Sequence, residues 1–479
     1  MDRHSIRSII LVCLAGVSSG CQSYEPRPLD PHRTLNSVDR ARLHPGHNNE
    51  MRASKDRRLP FVSNVSLAQA AAWMKLYSPD LKETIAAYET AYARAQVKTP
   101  LPNPSLEVGP EFGFGSGVEV NPVVPFGSLG ITIPLGDRLA RRDNLNSARA
   151  EVLRVGGLAS LRELYLELRR RYLRLAIAHK VQGLRTEITA AARQSVSQAR
   201  HLVEAGQATA LDVALFELEG GRSQAQLLQA KAASARSRAE LAALVGVGAA
   251  HFAQLPDNSL TLEVKSDLNL EGLKRLLTDN HPELARLRAR YEEAECSLRL
   301  EIAEQYPDLK IGPSLAGDSG DHKTVLGLAL GIELPLFDQN QQAIAEASQK
   351  REEIRMRYEA AANRALAEVE RSFAALQLAK ERRKILRDTI LPSAKKSIDL
   401  ARRSMAAGSA DALRLLDAER SFRQVKIEAL AANLAEREAW IDLEMSVGKP
   451  LVRIPGELDI ARVPQKLRAA QASTGGHKK

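Results

Sequence analysis

Residues 325–337, VLGLALGIELPLF, decide how the rest of the chain is read. Leu326, Leu328, Leu330, Ile332 and Leu334 alternate with Gly327, Ala329, Gly331 and Glu333, the period of two of a strand with one oily face. At Asp338 the texture changes. Residues 338–407 form an Ala-, Glu-, Arg- and Leu-rich run of 70 residues with one proline, Pro392, and no glycine. This predicts a helix of roughly 100 Å at about 1.5 Å per residue, kinked at Pro392. Gly408 then turns the chain, and a return helix covers 410–447. No compact domain needs a helix of that length.

The same object occurs earlier. NPSLEVGP (103–110) echoes YPDLKIGP (306–313), ITIPLGD (131–137) echoes IELPLFD (332–338), EAGQATALD (204–212) echoes AAGSADALR (406–414), and LVGV (244–247) echoes MSVG (445–448). The spacing between matched positions stays at 201 to 203 residues over all four markers. The reading is an internal duplication rather than a short-period solenoid. In the first copy a helix over 66–97 is interrupted early by Pro79; strands near 105–114 and 129–135 follow, then a helix over 139–205, Gly206, and a return helix over 210–245. Leu161, Leu164, Leu168, Tyr172 and Leu175 recur at helical spacing as a packing seam. The second copy gives a helix over 270–304, strands over 307–317 and 324–336, and helices over 338–407 and 410–447.

A chain of 479 residues with a net charge of +10 is long and only mildly basic. Its basic clusters (Arg138, Arg141 and Arg142; Arg169 to Arg171; Lys380, Arg382, Arg383 and Lys384) are interleaved with Glu and lack aromatic stacking partners. They read as solvated helix faces, not as a nucleic-acid surface. Arg3 and Arg7, the apolar run IILVCLAGV (9–17) and SSGC form a targeting signal, its apolar run being too short to span a bilayer as a helix. It resembles a bacterial lipoprotein signal in which Cys21 becomes the lipidated first residue. Ser18 stands where that signal usually has Leu, so cleavage without lipid is the alternative. Gln22 in place of Asp after the cysteine favours the outer membrane by the same resemblance. Cys296 is then left unpaired as a small core residue. His44 and His47, in a polar arm with no third ligand, do not make a metal site.

The segments are therefore 1–20 signal peptide, 21–63 lipid-anchored arm, 64–250 first repeat, 251–269 equatorial linker, 270–450 second repeat and 451–479 tail. In each repeat the entering helix and the return helix together match the long helix in length. Two short helices stacked end to end would lie beside one long one, with strands at one end of the rod, glycine turns at the other, and re-entry near mid-height. The fold class is mainly α, long helical hairpins plus four β-strands per protomer. Strands of about ten residues with alternating faces are the transmembrane β pattern, although a soluble sandwich alternates too. A membrane sheet has no open edges in lipid, and four strands fall short of the roughly eight that close a barrel. Membrane insertion would require association, for which a symmetric trimer supplies about twelve strands.

These residues taken together resemble the TolC-type outer-membrane efflux proteins over roughly 64–450. The carriers are the doubled NPSLEVGP and YPDLKIGP, the junctions IPLGDR and LPLFDQNQ, and the turns AGQATALD and AGSADALRLLDAER. LPLFDQNQ is similar to the CzcC-like heavy-metal subgroup. The resemblance implies a homotrimer with a twelve-stranded transmembrane β-barrel continued by a helical tunnel across the periplasm. It further implies a periplasmic adaptor (membrane fusion) protein and an inner-membrane transporter, of RND type for the heavy-metal subgroup. In such proteins acidic side chains on the return helix constrict the tip. Asp417 matches one such position, Arg414 stands where a second Asp is found, and Asp212 is the first-repeat equivalent of Arg414; exposed helix acids are the plainer reading of all three.

There is no nucleotide-binding glycine loop, HExxH, paired cysteine or nucleophile elbow. The reading is not an enzyme, with no catalytic, cofactor or metal residues, but a passive outer-membrane duct that draws energy from its partners. Export of heavy-metal cations, type I secretion and drug export stay open. The readings of other classes are a non-transport coiled-coil scaffold lipoprotein and a periplasmic enzyme. Gly206 and Gly408 are the tip turns, where a positive φ lets two helices reverse.

Overall fold

Each half of the chain lays down the same order of elements, and a computed structural model shows how they stack. The structure describes residues 24–43, 64–112, 123–206, 209–256, 263–264, 269–318, 323–406 and 412–453. The signal 1–20, Cys21, His44, His47, Gly408 and the tail beyond 453 lie outside the described residues. In the unit formed by residues 1–60, helix α1 spans Pro31–Leu43.

The second unit, 61–479, carries the two repeats. Helix α2 (Leu67–Tyr77) starts at a capping box in which Ser66 Oγ accepts the Gln69 N–H and the Gln69 side chain accepts the Ser66 N–H at 2.9 Å. Ser78 interrupts it, and Pro79 at the first helical position opens α3 (Pro79–Gln96). Strands β1 (Ser105–Phe112) and β2 (Val123–Pro134) follow. Gly136 (φ 75°) and Asp137 (φ 56°) then turn the chain into α4 (Arg138–Glu204), 67 residues that run unbroken through Gly156 and Gly157. Helix α5 (Ala210–Val245) returns along it. After the two-residue strand β3 (Glu263–Val264), the second repeat begins with α6 (Leu270–Asn280) and α7 (Pro282–Ala303). Strands β4 (Asp308–Asp318) and β5 (Lys323–Ile332) precede α8 (Gln341–Ile385). A π-helical turn, Leu386–Ile390, joins α8 to α9 (Leu391–Ala406). Helix α10 (Ala412–Val447) returns, and β6 (Val452–Arg453) pairs with β3.

Details differ from the sequence reading, among them β2, which begins at Val123 rather than near 129. The helix expected over 270–304 is broken at His281–Pro282, as the first repeat is at Ser78–Pro79. The strand expected to reach 336 ends at Ile332, and the long helix starts at Gln341 rather than 338. Pro335 has no N–H for a ladder, the Leu336 N–H turns back to Leu334 O at 2.8 Å, and Asn340 takes φ 58°. Pro392 sits just after the π turn, which places the wider turn where the proline ring would crowd the carbonyl four residues back, and a proline and a π turn are both features at which helices bend.

The rods meet at mid-height. Gly246 (φ 84°) ends α5 against the α2–α3 break, where an added Cβ would lie 2.4 Å from Tyr77 O. Gly448 (φ 77°) ends α10 against the α6–α7 break, 2.3 Å from Asn280 O on the same construction. Short helices do stack end to end here beside the long ones. Around these junctions lie the main cores. The first gathers Trp73, Met74, Leu81, Leu161, Leu168, Tyr172, Leu175, Leu241, Val245 and Phe252; Leu164, the remaining member of the expected seam, is partly buried against it. The second gathers Leu273, Leu277, Leu284, Val369, Leu376, Trp440, Leu443 and Val447. A third small cluster, Leu166, Leu173 and Ile441, joins the repeats.

The basic clusters are solvated only in part: Arg142, Arg382 and Lys384 are exposed, but other members are drawn into contacts between helices. Arg169 is 1% exposed and ion-paired with the fully buried Glu444; Arg170 pairs with Asp442, and Arg174 with Glu438 at 2.5 Å. Arg171 bonds Glu167 and the carbonyl of Glu240. Arg138 pairs with Asp308, Arg142 with Glu304 and Arg383 with Glu436, while Lys380 lies 4.5 Å from the Trp440 ring centroid. These charges knit one helix to another.

Candidate functional site

The two ends of the rods carry the chemistry. At one end the strands form a single antiparallel sheet in the order β1-β2-β4-β5, so the two hairpins join edge to edge through β2 and β4. Residues directly opposite each other share a face. Leu106 lies opposite Leu129, Ile131 opposite Ile311 and Ile311 opposite Leu330; Ile133 lies opposite Leu309, and Leu309 opposite Ile332. One apolar face therefore crosses all four strands. The opposite face carries Glu107 opposite Ser128, Ser128 opposite Ser314, and Ser314 opposite Gly327. Nothing described covers the apolar face: Val108 is 75%, Leu326 75% and Leu328 73% exposed. A soluble sandwich would bury these side chains, so that alternative falls. Among the described residues, strands β1 and β5 end the sheet with unpaired edges.

At the other end the hairpin tip turns at Gly206, φ 72°, in open space. Asp212 is committed to a helix start. Its carboxylate accepts the Thr209 N–H at 2.8 Å and the Thr209 hydroxyl at 2.7 Å, while Thr209 Oγ1 accepts the Asp212 N–H. These bonds hold the Asp212 carboxyl below its ordinary value. Arg414 and Asp417 are both exposed in the first turns of α10, three residues apart and so neighbours on the helix surface. In the first repeat Leu215 takes the place of Asp417 by the 202-residue spacing. The structure therefore places Asp212 in a cap and keeps Asp417 apart from any first-repeat acid at the matching position.

Two tip contacts escaped the sequence reading. Arg200 pairs with Glu217 at 2.5 Å, and Arg402 with Glu419 at 3.6 Å, each tying a long helix to its return helix. Both members of both pairs obey the 202-residue offset of the glycine turns, a signal that was available. Arg420 joins the two hairpins by bonding Glu219 at 2.6 and 2.8 Å. Among the described residues no group of three or more His, Cys, Asp or Glu is placed to hold a metal ion. Among them, too, no helix is long and apolar enough to cross a membrane.

The family model described as "Outer membrane efflux protein" matches residues 74–247 and 273–449, one match per repeat. The cobalt-zinc-cadmium resistance protein CzcC of Cupriavidus metallidurans is 26% identical over 324 residues, covering 67% of this chain and 76% of that protein. Among solved structures, one of CusC, described in connection with folding and transmembrane channel formation, superposes with a TM-score of 0.66 at 16% identity, covering 83% of this chain and 96% of that one. A membrane protein from Pseudomonas aeruginosa gives 0.68 at 18% identity, covering 93% of this chain and 100% of that one.

Proposed function

The chain belongs to the outer membrane efflux protein family and is an outer-membrane efflux channel of the kind used by tripartite pumps; from that premise we propose that three copies close into one passive duct. The observation that carries the reading is the sheet, with an apolar face continuous across four strands and unpaired edges at β1 and β5. In lipid such edges cost several kcal/mol per unsatisfied group. Pairing β5 of one copy with β1 of the next removes them and gives a barrel of about twelve strands, whose polar face lines the lumen. The long helices continue that lumen toward the inner membrane, where a periplasmic adaptor and an RND-type transporter supply the energy. Cys21 adds a lipid anchor. The cargo in this reading is heavy-metal cations, a choice supported by the similarity to the cobalt-zinc-cadmium resistance protein; type I secretion or drug export is the second reading. Asp417 faces the constriction at the tip, with Arg414 beside it and Gly206 and Gly408 as the turns.

The test is the mass of the protein extracted from outer membranes in mild detergent, together with lipid labelling of Cys21→Ser. A species of three chains and loss of label are expected. A folded monomer in detergent would overturn the barrel.

A further inference from the structure

Tipward of the first core, the groove between α4 and α5 opens into a cavity of about 450 Å³. His179, Gln182 and Thr186 line it from α4, and Lys231, Ser234 and Arg238 from α5; no carboxylate does. Nearby Arg171 and Arg174 meet Glu167 and Glu438, and Arg185 meets Gln226. The Nε of Arg238 is buried and has no hydrogen-bond partner among the described residues; Arg169, Arg170 and Arg383 share that feature but are ion-paired with Glu444, Asp442 and Glu436, and no such carboxylate lines the cavity beside Arg238. A buried donor without a partner is costly in a native structure and calls for an explanation. Ser234, 6% exposed, places a hydroxyl in the same cavity. Gly183 and Ala235 keep the walls low, so space remains between the cationic groups. Burial and the adjacent Arg238 charge push the His179 imidazole below its ordinary value, which leaves it neutral near pH 7.

We propose that this cavity binds a small oxyanion, bearing carboxylate or tetrahedral oxygens, between the two helices of the first hairpin. The Arg238 guanidinium offers planar paired donors to two anionic oxygens. The Lys231 ammonium adds charge at the rim, and the Ser234 hydroxyl and Gln182 amide donate from either wall. Burial keeps the His179 imidazole neutral in the empty cavity; an anion seated beside it places an opposite charge within reach, which favours the protonated ring, so proton uptake from solvent accompanies binding and makes the imidazole a further donor. Bound in this way, the anion braces α5 against α4 between the mid-height core and the tip.

The experiment titrates the full chain in detergent with sulfate, and separately with malonate, by calorimetry at pH 7 in two buffers of different ionisation heat. One saturable site per chain with a dissociation constant of about 1 mM or tighter is expected, with a buffer-dependent heat that reports proton uptake. His179→Gln should abolish the buffer dependence, and Arg238→Gln should weaken binding at least tenfold. Preference between the two probes separates tetrahedral from carboxylate ligands. If Arg238→Gln lowers the helical circular dichroism, Lys231→Gln and Ser234→Ala carry the same test. Absence of saturable heat with both probes, or binding indifferent to these substitutions, overturns the proposal. So does a change of assembly state in Arg238→Gln without anion binding, which would give the cavity to a carboxylate of a neighbouring copy.

Discussion

Arg169 and Glu444, 275 residues apart in sequence, form an ion pair sealed between the two repeats. Glu444 also accepts the Leu451 N–H at 2.7 Å, so one carboxylate holds the first long helix, its own helix and the chain that leaves it. Beside it Arg162 donates to the carbonyls of Asn280 at 2.7 Å and Gly448 at 2.5 Å. Removing one member of a buried pair strands the other's charge. Glu444→Gln should therefore cost about 3–5 kcal/mol, while the double change Arg169→Met with Glu444→Leu should recover most of the loss. Chemical denaturation of the detergent-purified protein measures both. Equal stability of Glu444→Gln and the parent chain would count against the clamp.

The glycines make a graded series. Gly206→Ala meets only the left-handed backbone penalty of about 1–2 kcal/mol, since nothing lies within 4 Å. Gly246→Ala and Gly448→Ala add a collision with the Tyr77 and Asn280 carbonyls, which are backbone and cannot swing away. Folded protein recovered from outer membranes should fall in the two mid-height variants and hold up in the tip variant. Equal yields across the three would show that the mid-height junctions have slack.

On the sheet, a charge tests which face meets lipid. Leu328→Arg, on the apolar face near the middle of β5, should lose about 2–4 kcal/mol of membrane stability. Thr132→Arg, on the other face opposite Lys310, should assemble and alter ion selectivity instead. Membrane fractionation and single-channel recording separate the two. The reverse pattern would invert the barrel.

The tip acids have separable roles. On the proposed reading, Asp417→Ala should reduce cation preference in single-channel recordings, because like charges around the proposed threefold axis would attract cations, and should leave assembly intact. Asp212→Ala should instead loosen the turn. The Asp212 carboxyl is held below its ordinary value by Thr209. Its contribution is thus complete at neutral pH and disappears as pH falls through the lowered value. Protection of the amides at residues 209–213, corrected for the intrinsic pH dependence of exchange, should fall in acid in the parent chain and stay level in Asp212→Ala. Identical exchange profiles for the two would remove the cap from the account.

Much of this was legible because the chain states it twice. Repeat markers spaced by 201 to 203 residues fixed the element order, and period-two runs located the four strands. The His281–Pro282 break was equally available, since Pro282 lies 203 positions after Pro79, but a proline tolerated in the first turn of a helix does not announce a boundary by itself. The basic clusters misled for a different reason. An arginine in a helical run looks the same whether it meets water or a carboxylate hundreds of residues away, so the burial of Arg169 was invisible in local composition. The cap formed by Asp212 went unseen because Thr209, three residues before it, was not weighed as its partner.

The open edges of the sheet carry a genetic consequence. On the proposed threefold ring every copy must offer both a sound β1 edge and a sound β5 edge, so the interface is heterologous and closes only when all copies fit. A copy damaged along one edge still enters through the other and then blocks completion. Co-expressed with an equal amount of the parent chain, such a variant should be dominant, sparing only about one assembly in eight if copies mix at random.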